Sequence, residues 1–241
     1  MKITPHRLVQ FTASGVAALG TIGSAQATTL LQFTNQGANG SDPAIAPSYG
    51  SNVAASDTDN GIIASVGVAG YLGTPNITLT YTSSIAGAGL FDSYPGWDSR
   101  GDVLQTDYLS TDNILSLAFN PVSGFGVLIN SFDLDEFTGG GASAVDWSIT
   151  NNGTTIVSGT WNDFESEDGG RSTVITGMTP IQAELNGNST LLLNLNLTGG
   201  ASSYQALDNL SFDQVNAIPE AGTAILCLAG LGAGAMRRRR K

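Results

Sequence analysis

The strongest pattern in the chain is a two-residue alternation of apolar and polar side chains. Apolar residues occupy every second position in residues 77–82, 115–119, 145–150 and 191–197, mostly with Thr, Ser, Asn or Asp between them. Such alternation is typical of strands with one face on a core and the other in solvent. Asn151-Asn152-Gly153 follows the third segment. Because Asn-Gly tolerates positive φ at both positions, it predicts a tight hairpin there.

The spacing of these segments predicts an all-β body covering residues 28–217. About ten strands without crossover helices favour an antiparallel two-sheet sandwich, of the jelly-roll type. A short strand is expected over 49–54 and one helical turn over 181–185. The predicted core consists of Phe33, Leu79, Leu117, Phe125, Val127, Ile129, Trp147, Leu193, Leu195, Leu210 and Phe212.

The first 27 residues have the pattern of a secretory signal peptide. Lys2 and Arg7 precede the apolar residues 8–22, and Ala25 and Ala27 fit the small-x-small pattern that signal peptidase accepts. A buried or membrane-spanning helix is the alternative, but the apolar run is short and interrupted by polar residues. The sequence therefore predicts export by the Sec pathway, with cleavage after Ala27.

The last 24 residues, 218–241, combine three features in order. Pro219 and Glu220 come first, residues 221–236 carry no charge, and Arg237, Arg238, Arg239, Arg240 and Lys241 follow. As a helix, the uncharged segment would cover about 24 Å, somewhat less than a hydrocarbon core of about 30 Å. The cationic residues would stay on the cytoplasmic side. Five adjacent cations also argue against a buried C-terminal core helix.

This C-terminal arrangement resembles the PEP-CTERM sorting signal of exported bacterial proteins. The matching positions are Pro219, Glu220, the Gly- and Leu-containing residues 226–234, and Arg237–Arg240; Ala221 stands where the family usually has Pro. The resemblance implies recognition by an exosortase, a transient anchor in the inner membrane of a Gram-negative bacterium, and transfer to the cell surface or extracellular matrix. It also implies a link to exopolysaccharide production.

The body between the two terminal segments is strongly acidic. Residues 28–217 contain two basic residues, Arg100 and Arg171, and 19 acidic residues (20 minus Glu220), so their net charge is 2 − 19 = −17. They contain no Cys, His or Lys. This composition excludes disulfides, Ser-His-Asp and Cys-His nucleophile systems, and zinc sites built on His or Cys in the body. It also argues against nucleic-acid binding, because a polyanion would be repelled. Hard cations, Ca²⁺ above all, suit a carboxylate-rich exported domain.

Three acidic positions are candidate calcium sites. They are the turn with Asp57 and Asp59, the cluster Asp163, Glu165, Glu167 and Asp168, and Asp208 near the last strand. An ordinary solvated turn explains the first as well, and Arg171 offers a counter-ion to the second. Asp208-Asn209-Leu210-Ser211-Phe212 is similar to the closing strand of galactose-binding-like jelly rolls, which implies that an acid there can help hold structural calcium.

Tyr94 and Trp97 lie in a segment rich in turn formers and are candidates for stacking on sugar rings. Covering one end of the core is an equally good interpretation of both aromatics. Asp133, Asp135 and Glu136 could instead supply the paired carboxylates of a glycosidase, which must meet in one cleft.

The sequence therefore favours a non-catalytic exported surface or matrix protein that adheres to or binds extracellular polysaccharide. Two alternatives stay open: a secreted carbohydrate-active hydrolase with an Asp/Glu pair, and a purely structural coat or biofilm subunit. Signal peptidase and exosortase are the expected processing partners.

Overall fold

The computed structural model describes the chain in eleven stretches that contain two β-sheets. These are residues 27–34, 45–53, 55–65, 77–84, 92–93, 103–105, 113–137, 144–162, 171–187, 189–197 and 204–216. The strands are β1 Ala27–Leu31, β2 Ile62–Ser65, β3 Ile77–Ser83, β4 Asp92–Ser93, β5 Leu104–Gln105, β6 Asn113–Pro121, β7 Phe125–Phe137, β8 Val145–Asn151, β9 Thr154–Trp161, β10 Arg171–Ile175, β11 Leu191–Leu197 and β12 Tyr204–Asn216. A 3-10 turn covers Thr58–Asn60, and one helix, α1, covers Pro180–Leu185.

All pairings in the two sheets are antiparallel. The five-stranded sheet has the order β3-β6-β11-β8-β9. The seven-stranded sheet has the order β10-β7-β12-β1-β2, and β5 also pairs with β12 and with β4. The predicted hairpin is confirmed: Asn152 and Gly153 connect β8 to β9 with φ of 48° and 78°. The antiparallel two-sheet sandwich expected from the alternation is therefore present.

The core lies between the two sheets. Phe119 of the five-stranded sheet meets Phe212 of the other edge-on with ring centroids 5.2 Å apart, and Trp147 meets Phe132 in the same way at 5.7 Å. Ten of the eleven predicted core residues are buried. Phe125 is only half-buried, because it is the first residue of β7 after the turn from β6. Edge-to-face contacts of this kind bind the two sheets to one another.

The strand expected over 49–54 is wrong. Residues 47–52 form turns, and Gly50 and Asn52 have φ of 71° and 50°, which an extended strand does not allow. Tyr49 is buried there. Its hydroxyl accepts from the backbone N–H of Phe33 at 3.0 Å and donates to the carbonyl of Asn60 at 2.9 Å. The tyrosine thereby joins β1 to the 3-10 turn.

The helical turn expected over 181–185 is confirmed as α1. It packs along β7 beyond the point where β10 stops pairing. The side-chain amide of Asn186, directly after α1, pairs with the backbone of Val127 in the way a neighbouring strand would. The Val127 N–H donates to Oδ1 at 2.9 Å, and Nδ2 donates to the Val127 carbonyl at 2.8 Å. The Ala183 carbonyl lies so close to Gly126 that a β-carbon would overlap it. Gly126 therefore permits this close approach.

The described residues contain no helix both long and apolar enough to span a bilayer. The segment 221–236, for which the sequence predicts a membrane span, lies outside them. So do residues 1–26, while Ala27 is the first residue of β1 and pairs with Gln214.

A candidate polysaccharide groove on the five-stranded sheet

An open groove of about 620 Å³ crosses the outer face of the five-stranded sheet. It runs over β6, β11, β8 and β9, and seven of its ten lining residues carry hydroxyl, amide or carboxylate groups. The lining residues are Ile114, Asp146, Trp147, Ser148, Thr155, Ser158, Gly159, Thr160, Asn194 and Asn196. The face therefore presents hydrogen-bonding groups over a surface large enough for a small ligand.

Strand alternation brings these polar side chains into two cross-strand rows. In the first row Asn194 pairs with Ser148, and Ser148 with Ser158. In the second row Asn196 pairs with Asp146, and Asp146 with Thr160. Directly opposed residues on one face of a sheet have β-carbons about 4.5–5.5 Å apart. Each row therefore forms a nearly continuous line of donors and acceptors.

Two hydrogen bonds fix the orientation of groups on this face. The Ser116 hydroxyl donates to Asn194 Oδ1 at 2.7 Å, and the Thr160 hydroxyl donates to Asp146 Oδ1 at 2.6 Å. Because Asn194 Oδ1 is already engaged, its amide nitrogen is the group left to donate to a ligand. The second oxygen of Asp146 is an acceptor beside the exposed Asn196.

The apolar part of the groove consists of Ile114, which is 46% exposed, and of the pair Trp147 and Gly159. The two residues of this pair are directly opposed on β8 and β9, and a β-carbon on Gly159 would lie 2.7 Å from Cζ2 of the Trp147 ring. Trp147 is 7% exposed, so most of its ring belongs to the core rather than to the groove. Gly159 thus leaves room for the indole, and the groove combines these apolar atoms with the polar side chains of the two rows.

The outer face of the seven-stranded sheet is polar too, but its carboxylates are buried. Asp133 is 8% exposed, Asp135 1% and Asp208 5%, on the adjacent strands β7 and β12. Asp133 accepts from the Thr173 hydroxyl at 2.6 Å and from Asn209 Nδ2 at 2.7 Å. Hydrogen bonds of this kind allow a carboxylate to stay buried.

The candidate calcium residues are not brought together in the part of the chain that the structure describes. Asp57 and Asp59 are exposed in and beside the 3-10 turn, and Asn60 Nδ2 donates to Asp57 Oδ2 at 2.7 Å. Asp208 is buried on β12 and accepts from the backbone N–H of Asn209 at 2.6 Å. Within the described residues, no three acidic, His or Cys side chains are placed to hold a metal ion.

Several predicted site residues lie outside the described residues: Asp163, Glu165, Glu167, Asp168, Tyr94, Trp97, Ala25, Pro219, Glu220 and Arg237–Arg240. Their roles stay predictions. The outer-face groove, in contrast, was not proposed as a site from the sequence. The sequence signal for it is weak: its outward polar positions are mostly Ser, Thr and Asn, with Asp146 as the one acid and without any Lys or Glu.

The geometry gives little room to the glycosidase alternative at residues 133–136. Asp133 and Asp135 are buried on the outer face of the seven-stranded sheet. The Asp133 carboxylate is engaged by Thr173 and Asn209. A glycosidase needs two carboxyl groups that face one accessible cleft.

Comparison with known proteins yields remote structural likenesses only. No family model and no curated protein matches the chain. A carbohydrate-binding module solved with β-1,4-galactotriose has 8% identity and a TM-score of 0.36, over 57% of this chain and 88% of that one. A family 11 carbohydrate-binding module from Clostridium thermocellum, in complex with a β-1,3-1,4-mixed-linked tetrasaccharide, has 14% identity and a TM-score of 0.30, over 64% and 96%.

A cyclase from Fischerella sp. in its apo form is similar at the same level. Its identity is 14% and its TM-score is 0.34, over 80% of this chain and 98% of that chain. Binding modules and an enzyme thus occur side by side among these structures. TM-scores this low do not define a shared fold, so the architecture of this protein rests on its own strand pairing.

Proposed function

We propose that this protein is an exported, non-catalytic surface or matrix protein whose jelly-roll-type, galactose-binding-like body binds extracellular polysaccharide. The polar groove on the outer face of the five-stranded sheet carries the binding part of the proposal. Its rows of hydroxyl, amide and carboxylate groups suit sugar hydroxyls, each of which donates and accepts a hydrogen bond.

The charge of the groove favours a neutral polysaccharide over an anionic one. Asp146 is the charged residue among its ten lining residues, and the body contains no lysine and two arginines. An anionic polymer would therefore meet a carboxylate and a net negative body without a cation in the groove to offset them. A neutral chain of hydroxyl groups meets no such repulsion.

Binding can be tested with residues 28–217, which contain both sheets and the core apart from Ala27 of β1. We expect affinity electrophoresis to show retardation in gels with neutral polysaccharides and free migration in gels with anionic ones. Replacing Asn194 and Asp146 together by Ala should abolish the retardation. Replacing Thr78 and Thr80 by Ala, on the same face but outside the groove lining, is the matched control. Equal retardation of both double variants would rule out the groove.

The destination is proposed from the two terminal segments. A cleaved signal at 1–27 delivers the body, and 218–241 acts as an exosortase sorting signal. Replacing Arg237–Arg240 by neutral residues should then reduce surface display, because the positive-inside anchor is lost. Unchanged display, measured by antibody labelling of whole cells, would contradict the sorting part and leave the groove untouched.

A further inference from the structure

One end of the sandwich, here called the hairpin end, holds both places where the described chain meets its terminal segments. It comprises the β6–β7 turn at Val122–Gly124, the first residue of β1, the last residue of β12, and α1. Ala27 pairs with Gln214, and Asn216 pairs with Phe125, the first residue after that turn. Residues 1–26 and 217–241 therefore join the body at the same end.

Large apolar side chains are exposed at this end. Ile181 is 64% exposed and Leu185 70%, one helical turn apart on α1, and Val122 in the β6–β7 turn is 44% exposed. The middle of α1 points the other way: Ala183 is fully buried, with its carbonyl against Gly126. The short helix thus buries one side on β7 and offers two of its largest apolar side chains to the surroundings.

Most of the described carboxylates lie at the opposite end. Asp57, Asp59, Asp133, Asp146 and Asp208 lie near the ends of β7 and β11 away from the β6–β7 turn. Two acidic residues are at the hairpin end: Glu184 on α1 and Asp213, which pairs with Leu128 and is buried. The acidic segment 163–170 is also joined to the body there, since Trp161 pairs with Val145 and Arg171 with Asp135. The hairpin end therefore holds three of the large exposed apolar side chains, and most of the described carboxylates lie at the other end.

Chain length restricts how far the hairpin end can lie from a membrane. The uncharged segment begins at Ala221, five residues after Asn216. Five extended residues span at most about 18 Å. A body tethered through residues 221–236 must therefore keep its hairpin end close to the bilayer, while the acidic end is free to point away from anionic headgroups.

We propose that the hairpin end docks on the lipid surface while the protein is anchored, with Val122, Ile181 and Leu185 inserted among the headgroups. The inference rests on the proposed membrane tether. Its occupant is the bilayer itself, since the tether holds the apolar residues within reach of it and the acidic end is repelled by it. Apolar side chains at such a surface lie about 5–10 Å inside the headgroup boundary.

The test uses the full chain with Cys227→Ser, reconstituted in vesicles of phosphatidylethanolamine and phosphatidylglycerol. An environment-sensitive fluorophore is attached to Leu185→Cys or, as the control, to Ile63→Cys, which is 41% exposed on β2. Flotation of the vesicles in a density gradient reports the tether. Quenching by lipids with a spin label near the headgroup reports docking, and we expect it to be at least about threefold stronger at 185 than at 63.

The outcomes separate the two proposals. A chain that floats and shows equal quenching at both positions has the tether but not the docking. A chain that fails to float lacks the tether, and the docking proposal falls with it. Energy transfer between differently labelled copies at position 185, in place of lipid quenching, would make a second copy the occupant and overturn docking. Adding Ile181→Ser should weaken quenching at 185, whereas Ile114→Ser, exposed on β6, should leave it unchanged.

Discussion

The outer faces of the two sheets use similar side chains in opposite environments. On the five-stranded sheet, Asp146 is exposed and accepts from the Thr160 hydroxyl at 2.6 Å. On the seven-stranded sheet, Asp133 is 8% exposed and accepts from the Thr173 hydroxyl at the same 2.6 Å. The first hydrogen bond lies in solvent, whereas the second joins an exposed threonine to a buried carboxylate. The comparison shows that burial changes what similar polar side chains can do: those on the first face are accessible to a ligand, as the proposed function requires, and those on the second stabilise the fold.

The largest effect is expected from removing the buried member of this pair. Asp133→Ala takes away the acceptor of both Thr173 and Asn209. Because hydrogen bonds to a buried, charged carboxylate are costly to lose, and the Asn209 amide is itself half-buried, we expect the free energy of unfolding to fall by about 2–3 kcal/mol. Urea denaturation followed by tryptophan fluorescence measures this.

Asp146→Ala is the matched control, since it removes a carboxylate with the same threonine hydrogen bond in solvent. Its effect on the free energy of unfolding should stay within about 0.5 kcal/mol, as for most exposed positions. If the two variants lost equal stability, the contrast between the two faces would be wrong.

Alkaline pH should lower the free energy of unfolding by an intermediate amount, because it acts on two buried tyrosines. Burial raises the pKa of Tyr49, and the charges of Asp208 and Asp57 raise it further; burial also raises the pKa of Tyr81 well above its usual value. Both tyrosines keep their proton in the folded state after the unfolded chain has lost it. Stability should therefore be unaffected below about pH 10 and fall above it, by about 1.4 kcal/mol per pH unit for each tyrosine.

Spectrophotometric titration combined with denaturation at several pH values measures this loss. Asp208→Asn should lower the pKa of Tyr49, because it removes a nearby negative charge. Asp146→Asn, on the exposed face, should leave it where it is. A stability that stays constant from neutral pH to pH 11 would show that neither tyrosine is buried as described.

The smallest effect on stability is expected in the groove. Asn194→Ala removes a half-buried side chain bonded to Ser116, and the free energy of unfolding should change by less than about 1 kcal/mol. Polysaccharide binding should nevertheless weaken by about five- to tenfold, the value of one hydrogen bond. Thr80→Ala, exposed on β3, should change neither quantity. If Asn194→Ala failed to fold, Asn194 would be a residue that stabilises the fold, as expected of Asp133, and not mainly a binding residue.

Much of the fold followed from alternation and turn chemistry. Residues 77–82, 115–119, 145–150 and 191–197 all lie in strands, and the Asn152-Gly153 hairpin is present. Alternation works well there because one face of the sheet meets solvent. It works less well in β12, where Asp208, Asp213 and Gln214 are buried beside the apolar residues. The local sequence around a polar residue does not show whether other parts of the chain will cover it in the fold.

The candidate site was harder to predict than the fold. The sites predicted from the sequence were marked by dense charge and by aromatics among turn formers. The groove is instead lined mainly by Ser, Thr and Asn, together with the carboxylate of Asp146. Such residues also form ordinary strand surface. Only the pairing of Asn194 with Ser148, and of Asn196 with Asp146, shows that these side chains form rows. Register between strands distant in sequence determines those rows, and single segments do not reveal it.

The most direct test of the central claim is nuclear magnetic resonance mapping of residues 28–217 titrated with soluble fragments of a neutral extracellular polysaccharide. If the groove binds the glycan, amide and side-chain shifts will concentrate at Asp146, Ser148, Thr160, Asn194 and Asn196, and Asp133 and Thr173 on the other face will stay unchanged. Shifts confined to the outer face of the seven-stranded sheet would contradict the assignment of the groove. The absence of shifts with a neutral glycan to which the intact protein adheres would contradict it as well.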